Sequence, residues 1–182
     1  MEVPVLQTSR LILRGFTAED TGEFSAMLAD DDVARFITPD ARALDRAEAW
    51  RAMATTVGHW VLRGYGFFAV QERASGRLIG RVGPWQPEGW PGLECGWTIA
   101  KPWWGRGYAP EAAVAAMRWT FEQFPGLPRI ISVIDPQNLA SKAVARKVGE
   151  TRTDEVFDYR GHTLEIWAAR RQEWWPRFGN EG

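Results

Sequence analysis

The clearest alternation of apolar and polar positions lies at Leu93-Glu94-Cys95-Gly96-Trp97-Thr98-Ile99. Successive side chains of a strand point to opposite faces, so Leu93, Cys95, Trp97 and Ile99 share an apolar face and Glu94, Gly96 and Thr98 the other. Two further strands, Tyr65 to Glu72 and Arg77 to Val82, read as a hairpin around Ala74-Ser75-Gly76. Leu11 to Arg14 and the β-branched run Arg129 to Ile134 are strands as well, and two last strands flank the turn Tyr159-Arg160-Gly161-His162. Residues 84–92, rich in proline and glycine, read as a loop.

Helical spacing appears elsewhere. Thr17 with Asp20 three positions on is a capping-box start for a helix carrying Phe24, Met27 and Leu28. Asp30-Asp31-Asp32 stops that helix or opens a short second one. From Asp45 to Arg63 the periodicity predicts a helix with Trp50, Met53, Val57 and Val61 near one face. Another helix runs from Pro110 to Phe124, with proline at its favoured first position. A fourth runs from Asn138, a natural N-cap, to Val148, and Gly149 stops it. The aromatic tail Trp174 to Phe178 suits a helical turn. Helices first, then a strand meander, then strand–helix–strand–helix and a hairpin imply an α/β or α+β fold with one mixed sheet.

Composition narrows the picture modestly. At 182 residues the chain fits one domain over its whole length, residues 1–182. Its 22 Lys and Arg nearly balance 23 Asp and Glu, so no electrostatic footprint for nucleic acid is visible. The one cysteine, Cys95, excludes an internal disulfide and suits a reducing compartment. Without a signal-peptide pattern at Met1-Glu2-Val3-Pro4 or a spanning apolar run, the expectation is a soluble, cytoplasmic protein away from membranes. Most of the eleven tryptophans are expected to pack.

The stretch KPWWGRGYAPEAA, residues 101–113, carries the first chemical signal. It leads from the alternating strand into a helix through Gly105, Arg106, Gly107, Tyr108 and Ala109. A helix start offers unpaired N–H groups and a positive dipole end to an anion, and glycine lets a phosphate approach the backbone. The lysine and Ser/Thr of a Walker loop are absent, as is the dinucleotide spacing G-x-G-x-x-G. Taken locally, a seat for a phosphate and a plain strand-to-helix turn explain the glycines equally well. The second signal is Asn138 with Ser141 in the first turn of the next helix; a capped amphipathic helix also accounts for it.

Together the two segments resemble the GNAT superfamily of acyl-CoA-dependent N-acetyltransferases, in the branch of ribosomal-protein N-terminal acetyltransferases of Rim type. Trp104-Gly105-Arg106-Gly107-Tyr108-Ala109 corresponds to the family's Q/R-x-x-G-x-G/A loop, with Trp104 in place of Gln or Arg. Asn138, Ser141, Val144, Lys147 and Gly149 fall in register with N-x-x-S-x-x-V-x-x-K-x-G, and Glu150 stands where many relatives carry an aromatic. The opening TSRLILRGFTAED matches that branch's usual start, so the resemblance covers nearly the whole chain. It implies a mostly antiparallel, strongly twisted mixed sheet of about six or seven strands with about four helices. It also implies acetyl-CoA as cofactor. The pyrophosphate would lie on backbone amides from Arg106 to Ala109, with Gly105 and Gly107 allowing approach. The pantetheine arm would pair like a strand near Trp97, Thr98 and Ile99, where this strand and the next splay apart. Asn138 would hydrogen-bond the arm, and Ser141 would sit near the thiol.

The reaction implied is direct attack of an amine on the thioester. Glu94 is the candidate general base, and a backbone N–H around Trp97 to Thr98 the candidate oxyanion donor. A solvated strand residue or an arginine's partner accounts for Glu94 equally well. Ser141 is the candidate proton donor, ahead of Tyr108. Cys95, between Leu93 and Trp97 on the apolar face, suits an inert buried thiol better than a nucleophile paired with His59 or His162. No metal-ligand cluster is visible. The acceptor implied is a primary amine of a small molecule or a protein N-terminus, and the loops 30–45, 84–92 and 158–163 that would select it carry no readable signal; Trp85 and Trp90 serve equally as walls of an acceptor pocket or as caps on the sheet, and exposed turn residues are the simpler account of Tyr159 and His162. A non-catalytic acyl-CoA-binding module is the alternative, and the chain is expected to act as a monomer or homodimer.

Overall fold

The computed structural model describes residues 2–38 and 40–179; the first residue, one residue of the 30–45 loop and the last three residues of the expected 1–182 span lie outside that range. Eight strands form one sheet in the order β1-β2-β3-β4-β5-β6-β8-β7. They are β1 (Leu6–Gln7), β2 (Leu11–Arg14), β3 (Phe68–Glu72), β4 (Leu78–Trp85), β5 (Glu94–Ile99), β6 (Arg129–Ile134), β7 (Thr151–Tyr159) and β8 (His162–Arg170). All neighbours pair antiparallel except β5 and β6. The helices are α1 (Thr21–Leu28), α2 (Asp31–Ala34), α3 (Arg46–Arg63), α4 (Tyr108–Gln123), α5 (Leu139–Lys147) and α6 (Arg171–Phe178). The sheet therefore exceeds the expected six or seven strands by the two-residue β1, and α2 and α6 add to the four expected helices. Both extra helices are eight residues or shorter, too short for a convincing periodic stripe.

Local chemistry accounts for most boundaries. Asp45 and Glu48 form a reciprocal capping box at the start of α3, and Gly64 ends it in the left-handed conformation. Asn138 Oδ1 accepts the Ser141 amide at 3.0 Å, the predicted cap of α5. The hairpin β7–β8 turns on Arg160 and Gly161, both at positive φ, as a two-residue loop matching the twist of its strands requires. Helix α4 begins at Tyr108 rather than Pro110, with Gly107 at φ 79° as its N-cap; proline stands at the third helical position, where no intrahelical N–H bond is forfeited.

The main core packs β2 to β6 against α4 and α6 through Phe68, Ile79, Cys95, Met117, Phe121, Ile130 and Trp174. A second cluster on the opposite face joins α1 and α3 through Phe24, Leu28, Ala49 and Met53. Helix α3 departs from expectation. It buries Ala49, Met53, Thr56, His59 and Trp60, while Trp50, Val57 and Val61 are exposed. Two polar residues sit on the inner stripe because their hydrogen bonds are met there: Thr56 Oγ1 donates to the Ala52 carbonyl, and His59 Nδ1 meets the Tyr65 carbonyl at 2.7 Å. A hydrophobicity count cannot see that satisfaction. No helix of the described residues is long and apolar enough to cross a membrane.

Candidate functional site

Strand β5 pairs with β4 along its whole length, from Glu94 opposite Trp85 to Ile99 opposite Gly80. Its ladder to β6 is one residue pair long, Glu94 opposite Ile131, with the Ile131 amide donating to the Leu93 carbonyl at 3.0 Å. Beyond that point the two strands part. The Ala100 amide donates to the Ile79 carbonyl, so even-numbered residues of β5 turn their backbone groups toward β4. The odd-numbered Cys95, Trp97 and Ile99 turn theirs into the gap. Thr98 therefore offers no N–H to the gap, and of the pair named from the sequence Trp97 alone does.

Side chains hold the vertex of the gap. Ser132 Oγ lies 2.8 Å from the Cys95 carbonyl, and Glu94 Oε1 accepts the Val133 amide at 3.4 Å. Across the gap, Trp97 Nε1 donates to Ser141 Oγ at 3.3 Å. At its far end Trp104 Nε1 donates to the Ile99 carbonyl at 2.6 Å, so that edge acceptor is already engaged. Trp104 thus acts through its indole on the strand end, while Trp97 marks the free part of the edge.

Glu94 is buried, not a solvated strand residue. Trp90 Nε1 donates to its Oε2 at 2.6 Å. Burial pushes its carboxyl up to about 7, against the pull of the Trp90 and Val133 hydrogen bonds and the Arg81 charge. Arg81 is paired with Glu94 by charge rather than by contact: its head lies 4.7 Å over the Phe67 ring, and burial lowers it to about 10. Trp90 stands at 5.3 Å from both Phe157 and Tyr159, so an aromatic wall borders the carboxylate. Trp85 belongs to β4 rather than to a loop, and stacks on His59 at 4.2 Å and Phe67 at 5.0 Å as packing.

The glycine loop opens the start of α4. Gly105 and Gly107 have φ of 75° and 79°, a region that resists side chains, and no side chain caps the helix. A Cβ at Gly105 would meet nothing within 4 Å, so the space above that residue is open, while one at Gly107 would meet Arg10 Nη2 at 3.5 Å. The amides of Tyr108 and Ala109 start the helix there. The Arg106 guanidinium lies 5.1 Å over the Trp103 ring. The Tyr108 hydroxyl points away, donating to Glu72 Oε1 at 2.8 Å.

Sequence reasoning missed two groups. Arg10 braces the loop from the other end of the chain: Nη1 donates to the Arg106 carbonyl at 2.8 Å, Nε to Glu111 Oε2 at 2.7 Å, and its head covers the Tyr108 ring at 4.5 Å. Its position within TSRLILR was the available signal. The other is Glu150, buried beneath the vertex, with Oε1 at 2.9 Å from Ser132 Oγ. Cys95 and the histidines do not converge. Cys95 faces the main core, where burial drives its thiol well above the usual range; His59 packs on Trp85, and His162 lies exposed in the β7–β8 hairpin.

Residues 10–151 match the model of the acetyltransferase (GNAT) domain. The chain belongs to the GNAT acetyltransferase family. This GNAT chain is 27% identical to the N-acetyltransferase YnaD of Bacillus subtilis over 95% of its own length and 93% of that protein. A 35% identical match to YkkB of the same organism covers 48% of this chain and 52% of YkkB. Among solved structures, an acetyltransferase from Agrobacterium tumefaciens superposes with a TM-score of 0.81 at 29% identity, covering 93% of this chain and 96% of that one. The ribosomal L7/L12 α-N-protein acetyltransferase RimL, solved with coenzyme A, superposes at 0.73 over 92% and 98% of the chains. At 15% identity that likeness speaks for the GNAT fold, not for the ribosomal branch.

Proposed function

We propose that this GNAT protein transfers an acetyl group from acetyl-CoA to a primary amine, of a small molecule or of a protein N-terminus, by direct attack. The observation that carries the reading is the gap between β5 and β6, open along the Trp97 edge and flanked by a buried carboxylate and a free helix start. The residues fit the cofactor. Arg106, Tyr108 and Ala109, with Gly105 and Gly107, would hold the pyrophosphate, and the Trp97 edge would pair with the arm. Asn138 keeps its side-chain N–H groups for the arm, because only its oxygen serves the helix cap. Ile99 would offer its N–H to the arm, because its carbonyl is taken by Trp104 and its side chain lies in the core, whereas Thr98 turns its backbone to β4.

Acetyl-CoA, when bound, supplies the acetyl group as a thioester. Glu94, poised near neutrality, takes the proton of the incoming ammonium directly or through a water. The Trp97 N–H donates to the carbonyl oxygen as it gains charge. Ser141 Oγ accepts the hydrogen bond of the Trp97 indole, which leaves its own O–H free to donate a proton to the departing sulfur. The wall of Trp90, Phe157 and Tyr159 beside Glu94 is the place for the acceptor's non-reacting part.

The test is calorimetry with acetyl-CoA on the wild type and on Gly107→Glu, followed by thiol release with a panel of amines. Binding by the wild type and not by the folded variant is expected. A wild type that binds neither acetyl-CoA nor CoA would overturn the reading. Binding without thiol release, with Glu94→Gln indifferent, would favour a non-catalytic acyl-CoA module instead.

A further inference from the structure

The contacts around Glu150 impose a proton count. Ser132 has a single hydroxyl proton and two oxygen neighbours, the Cys95 carbonyl at 2.8 Å and Glu150 Oε1 at 2.9 Å. The carbonyl can only accept. An ionised Glu150 would also only accept, so one of the two short contacts would then lack a proton. A neutral Glu150 meets both: its carboxyl proton goes to Ser132 Oγ, and the Ser132 proton goes to the Cys95 carbonyl. The site favours that state. Glu150 is 2% exposed, and its Oε2 has no hydrogen-bond partner among the described residues. An unpaired charge there would be costly. The charge that reaches it is Glu94, across β5, which disfavours ionisation further; the other titratable neighbour is the Cys95 thiol, itself kept protonated by burial.

The place of this chain of bonds gives it a role. The β5–β6 ladder ends at Glu94 and Ile131, and Cys95 and Ser132 are the next residues on each strand. The link therefore ties the strands at the last level before they part. We propose that Glu150 is a positioning residue: as a neutral acid it directs the Ser132 hydroxyl onto the Cys95 carbonyl and so sets the width of the gap between β5 and β6. An ionised Glu150 would draw the Ser132 proton to itself and release the Cys95 carbonyl. The effect on cofactor rests on the reading of the gap as the arm's site; the latch itself does not.

Three variants test it, each followed from pH 6 to 10 by CoA calorimetry and by hydrogen exchange of the Ile131 and Val133 amides. Glu150→Gln keeps a donor to Ser132 and cannot ionise. It should bind CoA like the wild type at pH 6, and should lack the alkaline weakening and faster amide exchange that the wild type shows. Ser132→Ala should weaken CoA by roughly fivefold to tenfold at every pH, the worth of one hydrogen bond. The double variant should be no worse than Ser132→Ala, because Glu150 acts through Ser132. Glu94 and Cys95 remain in Glu150→Gln, so a pH response shared by that variant and the wild type belongs to them and overturns the proposal. So does a Ser132→Ala protein with wild-type exchange at both amides. If the wild type does not bind CoA, the cofactor reading fails, and the exchange data alone decide the latch.

Discussion

The Trp97 indole reaches Ser141 Oγ at 3.3 Å, across the gap where β5 and β6 part. One side chain of the strand edge thus fixes the orientation of a hydroxyl on the first turn of α5. Trp97→Phe keeps the ring and deletes the donor. The expected result is a threefold to tenfold lower kcat, about the worth of one hydrogen bond, with little change in the KM for acetyl-CoA. Steady-state kinetics with both substrates checks it.

Glu94 should set the acid limb of the pH–rate profile. Its carboxyl titrates at about 7, so kcat/KM should climb through that pH and level off above it. Glu94→Gln should remove the limb and cost about a hundredfold or more. Stability should move the opposite way. The folded pKa lies above the unfolded value, so the folded state holds the extra proton. Wild-type stability should therefore fall as pH rises from the ordinary carboxylate range through about 7, more steeply than that of Glu94→Gln. Thermal melts of both proteins across this range give the comparison.

Arg81 is the positive neighbour that restrains that shift. Arg81→Met should hold the Glu94 proton more tightly and carry the limb of the profile to higher pH. A partly buried guanidinium with its Nε unpaired contributes little net stability, so the variant should melt within a few degrees of the wild type. An unmoved limb would mean that burial and the Trp90 and Val133 hydrogen bonds tune Glu94 without Arg81.

The brace of Arg10 on the Arg106 carbonyl predicts a selective defect. Arg10→Ala should raise the KM for acetyl-CoA severalfold while leaving kcat and the amine's KM near wild type. Its ion pair with Glu111 is half exposed on the arginine side, so the loss of stability should stay below about 1 kcal/mol.

Trp174 is the clearest stability determinant outside the site. It is 1% exposed, and its Nε1 donates to the Val148 carbonyl at 2.7 Å, tying α6 to the end of α5. Trp174→Ala should cost about 3–5 kcal/mol in denaturant unfolding. Trp174→Phe should recover most of that, losing the hydrogen bond and some volume.

What the chain determined locally was legible in its residues. Strand alternation at 93–99, the caps at Thr17 and Asn138, the helix start at Asp45, and the hairpin turns at Ser75-Gly76 and Arg160-Gly161 depend on neighbours a few positions apart, and each stands where it was expected. The glycine loop and the Asn138–Ser141 turn were legible for the same reason, and the family model spans both. The face of α3 was not, because two stripes of that helix satisfy the same period and the hydrogen bonds of His59 with Tyr65 and Gln86, beyond the helix, favour the inner one. Burial of Glu94, reach of Arg10 to Arg106 and the Glu150–Ser132–Cys95 link join residues 18 to 96 positions apart or depend on both faces of the sheet being covered. Dielectric and proton sharing are properties of that enclosure, which forms only when α1, α3, α4 and α5 close on the strands. Residue type and spacing thus announce which groups are present, while the packed sheet decides which of them carry a proton.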